Sequence, residues 1–137
     1  MVIIKKIPKS IILLTLVGCS LFKSADELFS YAELKRNNGE PKEAIIILEQ
    51  LISKFTDHEK ASEAQYLIAE IYYRDLRDFS QSIREYEKLM NDFPNSSKVP
   101  FALFMQGFIY ANTLSDFDLA KNSYSKFLEK YSNHDLA

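Results

Sequence analysis

A single cysteine, Cys19, among 137 residues rules out a disulfide within the chain. Glycine and proline are scarce, at three and four residues, and helical patterning runs throughout. So few breakers leave no room for a low-complexity tail or for a sheet with its closely spaced turns. Tryptophan is absent, and the two histidines, His58 and His134, have no partner at metal-ligand spacing. No glycine-rich phosphate loop, HExxH pair or strand-turn-helix serine elbow occurs, so neither an enzyme nor a metal or other cofactor is expected. A basic excess is missing too: 17 lysines and arginines stand against 19 acids. That balance argues against nucleic-acid binding, which needs many phosphates neutralised.

What is present is periodicity. Leu48, Tyr86 and Tyr124 are spaced by 38 residues, as are Leu51, Leu89 and Phe127, and Phe55, Phe93 and Tyr131. Ala44, Ser82 and Ala120 repeat at the same interval, as do the pairs Ala64/Ala102, Ala69/Gly107 and Tyr72/Tyr110. So many columns at one period define a repeat protein. Within Ala64 to Ser96, Ala64, Ile68, Ala69 and Tyr72 mark one apolar face at helical spacing. Ile83, Tyr86, Leu89, Met90 and Phe93 mark another, so each unit reads as two antiparallel helices. Predicted starts are Ser24 with Glu27 and Thr56 with Glu59, both at capping-box spacing, Asp78 and Asp116 as N-caps, and Pro41 and Pro100 in first turns. Asn38-Gly39 and Phe93-Pro94 are the breaks.

These units resemble tetratricopeptide repeats. Ala69, Tyr72, Ser82, Tyr86 and Pro94 stand at the signature places of the second unit, and Gly107, Tyr110, Ala120, Tyr124 and Tyr131 at those of the third. Ala32, Ala44, Leu48 and Phe55 do so in the first. The period exceeds the usual ~34 residues, and the excess is assigned to the turns. The expected fold is all-α: an α-solenoid of about three helix-turn-helix units, at 25–58, 61–96 and 99–134, within a repeat domain 25–137. Small residues at 32, 69 and 107 are expected where helices cross closely.

Ahead of this domain, Lys5, Lys6 and Lys9 precede the apolar run from Ile11 to Val17, the layout of an export signal. The run is far shorter than the ~20 residues a membrane-spanning helix needs. Leu16-Val17-Gly18-Cys19 resembles a bacterial lipobox, which implies a lipoprotein signal peptide at 1–18, cleavage before Cys19 and acyl lipid on its thiol. Each buried methylene contributes about 0.8 kcal/mol, so two or more chains hold a protein stably. Residues 19–24 form the lipidated cysteine and a short linker, and Ser20 resembles the class sent to the outer membrane. Loss of residues 1–18 leaves 14 basic and 19 acidic residues, a net charge of −5.

In repeats of this type the first helices line a concave groove. Carried over, that implies a partner-binding column of Phe29, Tyr66 and Phe104, flanked by Glu33, Glu70 and Phe108, by Arg36, Tyr73 and Ala111, and by Asn37, Arg74 and Asn112. The aromatics either capture a peptide or pack between repeats, and Arg36, Tyr73 and Arg74 either contact a partner or form a solvated face. In the last helix Tyr124, Phe127, Leu128 and Tyr131 are expected on an uncapped terminal face. A longer array, a partner or a second copy would cover it.

Helix pairs ending in Phe-Pro-Asn-Ser or Tyr-Ser-Asn-His, behind a lipidated cysteine, resemble the BamD-like outer-membrane assembly lipoproteins and the repeat domain of YbgF-type proteins. The resemblance implies a membrane-anchored scaffold at the periplasmic face of the outer membrane, with a protein or peptide partner and no nucleic acid. The alternatives are a repeat lipoprotein with another envelope partner, a homodimer through the last helix, or a fragment of a longer array.

Overall fold

A computed structural model describes residues 24–137; the export signal, Cys19 and Ser20 lie outside the described residues. Helix α1 (Ala25–Asn37) opens on the predicted capping box, with Glu27 N donating to Ser24 Oγ at 3.1 Å and Ser24 N donating to Glu27 Oε2 at 3.3 Å. The reciprocal bonds satisfy two donors that a helix start otherwise leaves open. Helix α2 (Pro41–Lys54) carries proline in its first turn, where the missing N–H costs nothing. Asp78 and Asp116 cap α4 (Phe79–Asp92) and α6 (Phe117–Tyr131), accepting from Gln81 N at 2.9 Å and Leu119 N at 3.1 Å. The start of α3 (Glu59–Arg74) corrects the sequence expectation. His58 is its cap, with Nδ1 accepting from Lys60 N at 3.1 Å, while the Thr56 hydroxyl donates back to Ile52 O at 2.9 Å and so closes α2. Before α5 (Val99–Asn112), Ser96 Oγ accepts from Lys98 N at 3.1 Å, and after α6, His134 Nδ1 accepts from Leu136 N at 3.2 Å. Positions 58, 96 and 134 thus repeat one turn in which a side chain accepts from the backbone N–H two residues on, and at His58 that bond caps a helix.

The helices pack in chain order, α1 on α2, α3 on α4 and α5 on α6, with α2 against α3 and α4 against α5. Among the described residues there is no strand. One core joins units one and two through Leu28, Ala32, Leu48, Leu51, Ala64 and Ile68, and a second joins units two and three through Ala69, Ile83, Tyr86, Leu89, Ala102 and Ile109. The 38-residue columns are therefore core columns: each apolar face is buried on a sequence neighbour, which is how solenoids hold together.

A second set of 38-residue equivalents lies in the turns. Gly39, Arg77 and Ser115 each precede the cap of a second helix, and all three have positive φ, at 81°, 57° and 55°. The left-handed conformation costs an L residue about 1–2 kcal/mol because Cβ crowds the carbonyl. A Cβ at Gly39 would meet nothing within 4 Å. Gly39→Ala should therefore destabilise by about 1 kcal/mol through the backbone alone, and Ser115→Gly should stabilise by about 0.5–1 kcal/mol, its greater chain entropy offsetting part of the relief. Urea denaturation of the two variants checks both signs. Arg77→Gly should gain less, because the guanidinium lies over the Phe79 ring at 5.5 Å.

Candidate partner-binding surface

The column Phe29, Tyr66, Phe104 is held inside the stack. The Lys60 ammonium lies 4.8 Å from the Phe29 ring centre, and Lys98, 38 residues on, lies 5.6 Å from that of Tyr66. Each lysine at the start of one first helix thus covers an aromatic on the preceding first helix. Tyr66 also meets Tyr86 at 5.6 Å between centroids, and Phe104 meets Tyr124 at 5.5 Å and Phe127 at 5.9 Å. All three are half-buried, and of the two readings held open for them, packing describes these contacts.

Glu70 turns inward and is only 9% exposed. Its Oε1 accepts from the buried Tyr86 hydroxyl and its Oε2 from Arg74 Nε, both at 2.6 Å. The groove position expected for it is corrected accordingly: Tyr86 draws the carboxylate into the helix pair. Burial first, then the charge of Glu70, raises the Tyr86 phenol far above its ordinary range, and burial pushes Tyr66 up to about 12. Attraction to Glu70 raises Arg74. Arg36 is taken up between units, its Nε donating to Asp75 Oδ2 at 2.6 Å.

What remains outward is a short row on α3 and α5. Tyr73 is set against Phe79 at 5.8 Å and edge-on to Phe108 at 6.5 Å, so one ring of each of α3, α4 and α5 meets there. Phe108 is 36% exposed, and Arg74 stands beside Tyr73 with most of its side chain in solvent. Phe101, two helical turns before Phe108, is 38% exposed and extends the row. The sequence reading missed Phe101, although its seven-residue spacing from Phe108 places both on one face. Glu33, Asn37 and Asn112 are exposed and Ala111 is half-buried.

On α6 the structure divides the expected terminal face. Phe127 is 1% exposed and packs on Phe104, Tyr131 and His134, while Tyr124 is half-buried under Gly107 and Phe104. These two belong to the inside of the third helix pair, a correction whose cause is that α5 brings an aromatic and a glycine to meet them. Tyr131 is half-buried and Leu128 is 50% exposed.

An acidic cleft of about 500 Å³ lies between the turns that start α3 and α5, walled by 56–59, Ser62, Glu63 and 92–97. Among the described residues no three His, Cys, Asp or Glu side chains are grouped to hold a metal ion, and no helix is long and apolar enough to cross a membrane.

Three stacked helix pairs with interlocking 38-residue core columns make this an α-solenoid of the tetratricopeptide type. The chain belongs to the YfiO family of outer membrane lipoproteins, whose model matches residues 22–135. No curated protein matches it.

Proposed function

We propose that the chain is a non-catalytic scaffold of the bacterial envelope, anchored through lipid on Cys19 at the periplasmic face of the outer membrane. It holds a peptide or helix of a protein partner on the exposed side of α3 and α5, in the service of outer-membrane protein assembly. The observation that carries this reading is the row Phe101, Phe108, Tyr73 and Arg74. Aromatic and arginine side chains dominate binding hot spots, and rings already fixed by neighbours lose little freedom when a partner arrives. Membership of an outer membrane lipoprotein family supports the location.

Crosslinking pull-down from envelopes tests the reading with intact protein, Cys19→Ser, and the double variant Phe101→Ala/Phe108→Ala. Intact protein should recover an outer-membrane barrel protein with its assembly factors. The double variant should lose at least nine-tenths of that recovery while its helicity stays unchanged. Cys19→Ser should move the protein to the soluble fraction; retention in membranes would remove the anchor from the account. Recovery of the protein alone, as a dimer, would favour self-association instead.

A further inference from the structure

The second helices share one stripe that lies between their own first helix and the next one. On α2 it is Pro41, Ile45, Leu48, Ile52 and Phe55, and on α4 it is Phe79, Ile83, Tyr86, Met90 and Phe93. All ten of these residues are buried or half-buried, and α3 and α5 pack on the two helices that carry them. On α6 the same register holds Phe117, Lys121, Tyr124, Leu128 and Tyr131. Tyr124 meets α5 and Tyr131 meets Phe127, but the rest of the stripe is open among the described residues: Phe117 is 70% exposed and Leu128 50% exposed, with Lys121 exposed between them. The stripe continues an interface already used twice, with one change of character, a cation where units one and two have isoleucine.

We propose that this α6 stripe is a docking site for an amphipathic helix of a partner protein, seated as α5 is seated on α4 and bearing an acidic residue opposite Lys121. The α4–α5 contact defines the rest of the ligand. α5 brings small Ala102 and aliphatic Ile109 into the shared core, and Gln106 reaches the Ile83 position, its Nε2 donating to Ile83 O at 3.2 Å. A ligand helix therefore carries a small residue, then an acid four places on, then an aliphatic three further. In a partly dry contact the acid matches the Lys121 ammonium and disfavours helices with an apolar or basic residue there. This site is separate from the α3–α5 row, so either can fail without the other.

The probe is a synthetic helix peptide of residues 98–112 of this chain, made with Gln106→Glu and in the parent form, followed by fluorescence anisotropy on the full chain. Saturable binding is expected, at least fivefold tighter for the glutamate peptide. Phe117→Ser and Leu128→Ser, both at exposed positions, should each weaken it about tenfold, and Lys121→Ala should abolish the preference between peptides. Absence of saturable binding, or binding indifferent to the α6 substitutions, overturns the proposal. So does a dimer of the intact chain in sedimentation that Leu128→Ser dissolves, since that would assign the stripe to a second copy.

Discussion

Glu70→Ala is expected to destabilise the protein by about 1–3 kcal/mol, because it takes the carboxylate acceptor from the buried Tyr86 hydroxyl. Tyr86 is fully buried and its hydroxyl reaches Glu70 Oε1 at 2.6 Å. Arg74 contributes little to the loss, since its largely solvated side chain regains water when the carboxylate goes. Glu70→Gln keeps an acceptor and should cost much less. Tyr86→Phe is also costly, because the mostly buried carboxylate then loses its buried phenol donor. Replacing both partners, Glu70→Leu with Tyr86→Phe, should recover much of the loss, since an apolar pair of similar shape leaves nothing unsatisfied. Urea denaturation of the parent, Glu70→Leu, Tyr86→Phe and the double variant forms a double-mutant cycle. Strict additivity would show that the hydrogen bond does not couple the two helices.

The same environment makes stability depend on alkaline pH. Unfolded tyrosines ionise near ~10, whereas burial holds the Tyr66 proton up to about 12 and the Tyr86 proton higher still. Above pH 10 the unfolded chain therefore binds fewer protons than the folded one, so the contribution is complete below that pH and falls as pH rises through 12. Tyr86→Phe should flatten this part of the stability curve.

How much of this was legible in the sequence depends on the kind of residue. Core columns such as Leu51, Leu89 and Phe127 repeat because each unit buries the same stripe on its neighbour, and that repetition identified the solenoid before any coordinates. The same column already implied a buried Phe127. Assigning it to an outward face failed because α6 carries two apolar stripes, one with Phe127 and one with Phe117 and Leu128, and helical spacing does not say which meets α5. Glu70 was misplaced for a different reason. A carboxylate on a first helix reads as surface unless its acceptor role toward a phenol sixteen residues away is seen, and no local pattern encodes that pairing. Arg77 and Ser115 share a register with Gly39, yet neither residue type announces a left-handed turn. Gln65 and Gln106 reach backbone or side-chain groups on α4, at Glu85 and Ile83. An amide amid apolar neighbours was the visible signal for both. The candidate binding row suffered most from this, because exposure is what remains after packing has taken its share of the aromatics.

The second large effect is expected at Gly107. A Cβ there would lie 2.7 Å from Tyr124 Cε1 and 2.8 Å from Cδ1, against the side of the ring rather than its free end. Phe104 backs that ring at 5.5 Å, so it has little room to retreat. Gly107→Ala should therefore overpack the α5–α6 crossing and cost about 1–3 kcal/mol, even though alanine is the better helix former. The preceding units show which change would relieve it. The small residue and its second-helix neighbour are Ala32 with Leu48 in unit one and Ala69 with Tyr86 in unit two, and the Tyr86 hydroxyl is anchored by Glu70. At the place of Glu70 the third unit has Phe108, which cannot accept that hydrogen bond. Tyr124 thus lacks the tether that holds Tyr86, and it lies where only glycine fits beneath it. Tyr124→Leu in the Gly107→Ala background recreates the pair of unit one and should restore most of the lost stability, read as the urea midpoint by circular dichroism at 222 nm. If the double variant is no more stable than Gly107→Ala alone, the ring contact is not the source of the cost.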